Sequence, residues 1–218
     1  MSDTPVSDAG LRRDHGPLKV GLTGGIASGK TAVSDALAAL GASVVDTDVV
    51  AREVVAPGSE GLAAVREAFG DEILAADGSL DRRRLRTLVF ADERRRRELE
   101  GILHPRIRRR TFEAVNAADG AYVVIVVPLL AESDFHELVD VVVVVDCDEA
   151  TQLERLMARD DHDEAEARRM IAAQSSREAR LALADHVIDN TGDRDALHAQ
   201  LTRLHRALLT QASSHTTN

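Results

Sequence analysis

Eight consecutive residues carry the clearest chemical signal in this chain: Gly24-Gly25-Ile26-Ala27-Ser28-Gly29-Lys30-Thr31. They fit the pattern G-x-x-x-x-G-K-[ST], a loop whose backbone N–H groups turn onto phosphate oxygens while the next helix adds its dipole. The phosphate-facing stretch is Gly25, Ile26, Ala27, Ser28, Gly29, Lys30, Thr31 and Ala32. In such a loop Lys30 reaches the β- and γ-phosphates of a nucleoside triphosphate, and the Thr31 hydroxyl ligates Mg²⁺. The bland alternative is a glycine-rich turn with a surface lysine, and composition speaks against it. The chain holds 25 arginines and only two lysines, Lys19 and Lys30. Wherever a cation merely solubilises, this sequence writes Arg. A lysine kept in the loop marks a place where a compact ammonium fits and a guanidinium fork does not.

Two further groupings could do chemistry. Asp46-Thr47-Asp48 places two carboxylates at the end of a short strand, where open α/β sheets hold their ligands. One of them could act as a general base or hold a Mg²⁺-bound water. Asp48 could equally cap the helix that follows. Arg155 and Arg159 stand four apart on one helical face, and with Arg177 and Arg180 they form the makings of a mobile lid over a triphosphate. Asp146 ends another strand, but a helix begins so soon after it that capping is its simpler role.

The elements needed to position these groups are legible. Leu18 to Thr23 reads as a buried strand ahead of the loop, and Thr31 to Leu40 as a helix with apolar Val33, Ala36, Leu37 and Leu40. Ala42–Val45 is a second strand and Val49–Val55 a helix. Tyr122–Val127 is an unbroken apolar run, as a central parallel strand should be. Val139–Val145 and His186–Asn190 are the fourth and fifth strands. Helices follow over Glu149–Met157, Ala167–Gln174, Arg177–Ala184 and Asp195–Leu209, and the polar stretch Asp160–Glu166 links the first two. Between Glu60 and Asp119 no strand is expected. Leu62–Phe69 is a helix closed by Gly70, Asp77-Gly78 a turn, Asp81 and Asp92 are N-caps, and Pro105 opens a further helix after His104. Five strands with intervening helices give a parallel sheet covered on both faces.

Composition bounds the function. Hydrophobic residues at 44% and charged residues at 29% describe an ordinary soluble globular protein of 218 residues. A net charge of −10 argues against nonspecific binding to nucleic acid or an anionic membrane. The exception is local: from Asp81 to Arg110 twelve arginines face five acids. That block reads as a solvated helical face with i,i+4 pairing, or as a surface for a polyanionic acceptor. The lack of interleaved aromatics weakens an RNA-binding reading. No apolar run approaches the roughly 18 residues of a membrane span, Met1–Gly16 carries no hydrophobic signal core, and the single Cys147 fits a reducing compartment. A cytoplasmic protein is expected. A guanine-specifying N-K-x-D is absent, since neither lysine follows an Asn.

The whole pattern resembles the dephospho-coenzyme A kinase family over about Lys19 to Leu209. The matching stretches are G-L-T-G-G-I-A-S-G-K-T at 21–31, D-T-D-V-V-A-R-E-V-V-A-P-G at 46–58 and D-G-S-L-D-R-R-R-L-R at 77–86. L-H-P at 103–105, V-P-L-L-A-E at 127–132, R-L-M-A-R-D at 155–160, A-A-Q-S-S-R-E-A-R-L at 172–181 and V-I-D-N-T-G at 187–192 complete the set. The resemblance implies a three-layer P-loop NTPase-type fold like that of nucleoside monophosphate kinases, with a five-stranded parallel sheet. It implies transfer of the ATP γ-phosphate to the ribose 3′-hydroxyl of dephospho-CoA, the last step of coenzyme A synthesis, with Mg²⁺ as cofactor. It implies Asp48 as the group facing the acceptor hydroxyl, with Lys30 and Arg159 also catalytic and Arg155 and Asn190 on the nucleotide. Asp46, Arg52, His104 and Leu129 then hold the acceptor. The boundaries that follow are a disordered leader at 1–16, a single kinase domain at 17–211 and a flexible tail at 212–218. Within the domain lie a helical acceptor subdomain at about 60–119 and a lid at about 159–178. A monomer or weak homo-oligomer is expected. Family members usually carry Gly at the Ala27 position and often Ser at the Thr31 position; Thr31 keeps the hydroxyl. Ala131 replaces a usually larger apolar residue, which implies a wider acceptor site. Two other readings remain: another small-molecule P-loop kinase, or a non-catalytic ATP-binding regulatory protein.

Overall fold

The structure is a computed structural model. It describes residues 16–90, 92–160 and 163–215, with all their side chains except those of Asp134, Arg159 and Asp160. The expected leader, apart from Gly16, lies outside the described residues. The chain falls into two compact units, one made of residues up to Val45 and from Val115 onward, the other of Asp46–Ala114.

The first unit is built on a five-stranded sheet in the order β2-β3-β1-β4-β5. Strand β1 (Leu18–Gly24) is central because its apolar run tolerates neighbours on both sides, and every residue except Lys19 is buried. It pairs in parallel with β3 (Tyr122–Val126), whose five residues are all buried. On its other edge it pairs in parallel with β4 (Val141–Asp146), which pairs in turn with β5 (His186–Asp189). Strand β2 (Ser43–Asp46) lies beyond β3. Continuous burial on both faces is what a parallel sheet demands of its sequence. Helix α1 (Lys30–Ala39) lays Val33 and Leu37 on the sheet, both fully buried.

The C-terminal helix α9 (Arg194–His215) buries Leu201, Leu204, Leu208 and Ala212 in the same core. The tail expected from 212 onward is corrected here, because the helical spacing of buried residues runs on to Ala212, only 2% exposed. Residues 216–218 lie outside the described residues.

The second unit holds α2 (Thr47–Val54), α3 (Glu60–Phe69), α4 (Arg82–Phe90) and most of α5 (Glu93–Asn116) around Val55, Val65, Phe69, Ile73 and Leu85. It begins earlier than residue 60 because Val54 and Val55 pack into this core, drawing α2 with them. Asp81 and Asp92 cap their helices as expected, accepting from the amides of Arg84 (2.9 Å) and Arg94 (2.9 Å). Ser59 caps α3 through the Leu62 amide at 3.1 Å, a cap the sequence reading missed.

Pro105 does not open a helix. It lies inside the 24-residue α5. Proline removes one i→i−4 bond and crowds the carbonyl four residues back. Here that residue is exposed Gly101, and Arg106 Nη1 donates to the Ile102 carbonyl at 2.7 Å, so the helix runs through. Among the described residues no helix is long and apolar enough to cross a membrane.

Candidate functional site

The loop between β1 and α1 has its carbonyls tied off one by one. Lys30 Nζ donates to the carbonyls of Gly24 (2.9 Å) and Gly25 (3.1 Å), and the Ser28 amide also donates to Gly25. Gln152 Nε2 donates to the Ile26 carbonyl at 2.6 Å. Arg155 Nη1 donates to Ala27 and Ser28, each at 3.4 Å, and Asn190 Nδ2 to Ser28 at 2.7 Å. The Gly29 carbonyl takes the Val33 amide as α1 begins. A trans peptide sets N–H opposite C=O, so a loop whose carbonyls are held by protein donors presents amides on its other face, save those of Ile26 and Ser28, which are taken by Gln174 and by the Gly25 carbonyl. That is an anion cradle.

Helix α1 completes it. Among the described residues no side chain caps this helix and no acid stands in its first turn, so its N-terminal dipole is left for a ligand anion. Thr31 and Ala32 are exposed there.

The loop glycines are required by what stands behind them. A Cβ on Gly24 would strike the Val145 carbonyl, one on Gly25 the Gln152 amide, and one on Gly29 the Asn190 amide. Ala27 sits at φ 57°, the left-handed region that costs a residue with a Cβ. Its carbonyl bond to Arg155 is part of what holds it there.

The sequence expectation placed Arg155 and Asn190 on the nucleotide. The structure places both against the loop: Arg155 also donates through Nη2 to the Asn190 carbonyl at 2.8 Å, and Asn190 is 8% exposed. Arg159 lies on α6 (Glu149–Asp160), but its side chain is outside the described residues. Leu129, just after β3, is 48% exposed.

Asp146 does not cap α6. Strand β4 runs through Asp146, so the cap falls to Asp148, whose carboxylate accepts from the Thr151 amide at 2.7 Å and is held below the usual range by that bond. Asp146 instead takes a two-pronged bond from Arg177, with contacts of 2.6 to 3.1 Å. That hydrogen bond raises the Arg177 pKa further above its ordinary value. Arg177 opens α8 (Arg177–Leu181), which follows α7 (Glu164–Ala172). The connection between them reaches the loop, because Gln174 Oε1 accepts the Ile26 amide at 2.7 Å. Ser175 is fixed beside it, its amide donating to Glu132 at 2.8 Å and its carbonyl accepting from Arg180. Gln152, Gln174 and Glu132 were missed by sequence reasoning. Gln174 and Glu132 were marked only by membership of the motifs at 172–181 and 127–132, and Gln152 lies in none of the quoted motifs. Cys147 is buried, and that burial raises its thiol pKa.

The remaining candidates belong to the second unit. Asp46, not Asp48, is the N-cap of α2, its carboxylate accepting the Asp48 amide at 2.8 Å. Asp48 is exposed in the first turn, and Arg52 and His104 are exposed as well. Arg84, Arg95, Arg96, Arg97, Arg109 and Arg110 of the block pair with acids. Arg96 and Arg97 reach Glu93, Arg84 reaches Glu72, Arg109 reaches Glu60, and Arg110 reaches Glu53 at 3.2 Å. Arg95 lies over the Phe69 ring, 5.3 Å from its centroid. Arg106 differs: its Nε is buried without a hydrogen-bond partner among the described residues. It lines a cavity of about 200 Å³ with Arg109, Arg110, the start of α3 and the carboxylates of Glu53, Glu60 and Glu113.

Among the described residues no cluster of three or more His, Cys, Asp or Glu could cage a metal. Thr31, exposed in the first turn of α1, offers a hydroxyl oxygen, a hard donor of the kind Mg²⁺ takes.

The family model for dephospho-CoA kinase matches residues 18–195. A dephospho-CoA kinase of Aromatoleum aromaticum is 49% identical over 194 residues, covering 88% of this chain and 95% of that protein. The dephospho-CoA kinase of Escherichia coli K12 is 46% identical, covering 89% and 94%. The crystal structure of TT1252 from Thermus thermophilus superposes with a TM-score of 0.72 at 30% identity, covering 90% of this chain and 98% of that one. Loop, sheet and relatives agree: the chain belongs to the dephospho-CoA kinase family.

Proposed function

We propose that this chain transfers the γ-phosphate of ATP to the ribose 3′-hydroxyl of dephospho-CoA, giving coenzyme A and ADP. The observation that carries the phosphate half is the loop with every carbonyl from Gly24 to Gly29 engaged and its helix uncapped. Family membership carries the acceptor half.

Phosphoryl transfer asks for in-line positioning, neutralisation of charge and a partner for the acceptor proton. The loop amides and Lys30 bind the phosphates, and Lys30 follows the charge that develops on the oxygen bridging the β- and γ-phosphorus. Thr31 would hold Mg²⁺, which when bound draws charge from the β- and γ-phosphate oxygens. Arg159 adds positive charge from α6. Asp48 accepts the proton of the attacking hydroxyl, while Asp46 fixes the turn from which Asp48 projects. Arg52, His104 and Leu129 hold the acceptor. A cytoplasmic setting fits the single buried cysteine.

The test is ADP release with dephospho-CoA, AMP, adenosine and shikimate offered in parallel. Stimulation by dephospho-CoA far above the acceptor-free rate is expected. Equal or greater stimulation by another acceptor points to a different kinase, and ATP binding without turnover of any points to a regulatory protein.

A further inference from the structure

The Ile26 residue is gripped at both ends. Its amide donates to Gln174 Oε1 at 2.7 Å, and its carbonyl accepts from Gln152 Nε2 at 2.6 Å. Gln152 is 4% exposed and comes from α6; Gln174 is half-buried and follows α7. Planarity makes each bond fix two groups. With the Ile26 amide turned toward Gln174, the Gly25 carbonyl of the same peptide faces the other way, where it receives Lys30 at 3.1 Å. With the Ile26 carbonyl turned toward Gln152, the Ala27 amide is aimed opposite, ahead of a residue held at φ 57°. Two side-chain amides from outside the loop therefore set the planes that carry the Lys30 acceptor and the amide of its one left-handed non-glycine residue.

We infer that Gln152 and Gln174 are positioning residues for phosphoryl transfer, acting through the Ile26 peptides on Lys30 and on the loop amides. Neither needs to touch ATP. The loop is strained at Ala27, and without the clamp the Gly25–Ile26 peptide is held through its carbonyl alone while the Ile26–Ala27 peptide loses its Gln152 bond, so the plane that sets the Ala27 amide loosens. Because Gln174 sits between α7 and α8 and its neighbour Ser175 is tied to Glu132, the clamp also couples the α7–α8 connection to the phosphate loop. The inference rests on the phosphate-loop half of the function proposed above and not on the identity of the acceptor.

The test uses the full chain with Gln174→Met, Gln152→Met and the double substitution. Methionine keeps the length and removes the polar atoms. ATP affinity is read by calorimetric titration without acceptor, so the result stands even if dephospho-CoA proves not to be the substrate. We expect each single variant to weaken ATP binding about tenfold and to lower kcat, while the KM for dephospho-CoA stays within twofold. The double variant should lose less than the product of the singles, since both act on one residue. ATP affinity and kcat within twofold of the parent would overturn the inference. So would equal rises in both KM values together with a lowered melting temperature, the mark of general loosening. Gln152 is buried, so Gln174→Met alone decides the matter should the Gln152 variant not fold.

Discussion

Asp46 and Asp48 stand two residues apart and the structure divides their work. Asp46 caps α2, whereas Asp48 lies exposed in the first turn. General-base help is worth about 10²–10⁴-fold, and losing a cap costs about 1 kcal/mol. Asp48→Asn should therefore keep its melting temperature and its ATP affinity and lose at least about a hundredfold in kcat. Asp46→Ala should lose about 1 kcal/mol of stability, while Asp46→Asn, still a good cap, should stay near the parent. If kcat collapses in Asp46→Asn and survives in Asp48→Asn, the roles are reversed. Lys30 is the second residue whose type matters. Its ammonium bonds two carbonyls at 2.9 and 3.1 Å, a fit for a small cation. Lys30→Ala should lose on the order of 10²-fold in turnover, and Lys30→Arg should not restore it. Near-normal turnover in the arginine variant would refute the steric argument.

At the scale of elements, the arginine-rich stretch separates into parts with different expectations. Arg96 and Arg97 reach acids of their own helix, and exposed pairs of this kind contribute little. Arg106, Arg109 and Arg110 line a cavity, and Arg106 carries the buried unpartnered Nε. Changing those three to Gln should raise the KM for dephospho-CoA more than the KM for ATP, and changing Arg96 and Arg97 should alter neither. Steady-state kinetics on the two sets distinguishes a binding surface from a solvated face; equal behaviour of both sets removes the cavity from the acceptor site. The sequence showed the strands within one or two residues, because a parallel sheet writes its burial as apolar runs such as Tyr122–Val126. It also showed the loop, whose glycines and lysine are local. It misled at Pro105, since a helix can absorb a proline where the facing residue is Gly101. It misassigned the caps at Asp46 and Asp148, because a boundary shift of two residues moves the cap. Gln152, Gln174 and the Asp146–Arg177 pair were invisible for another reason: they join residues from 31 to 148 positions apart, and no local period records that.

For the molecule as a whole, the fold of the nucleotide unit can be followed through one side chain. Tyr122 is the only tyrosine and there is no tryptophan, so ultraviolet absorbance at alkaline pH reports this residue alone. It lies on β3, 1% exposed, with its hydroxyl 2.7 Å from His205 Nδ1 on α9. Burial pushes its pKa up to about 12, from an ordinary value near 10. The fold therefore favours the protonated phenol. That contribution is fully present below pH 10 and is lost as pH rises toward 12, because the unfolded chain gives up this proton first. Stability should fall across that window, and tyrosinate absorbance should stay low while helical circular dichroism is intact. The two signals should then change together, since the phenolate forms mainly in chains that have released α9 from the sheet. A tyrosinate midpoint near 10 with unchanged circular dichroism would mean that the phenol is open to water in the native protein. Tyr122→Phe should abolish the absorbance change and leave His205 without its partner, and the alkaline loss of helicity should then move to higher pH.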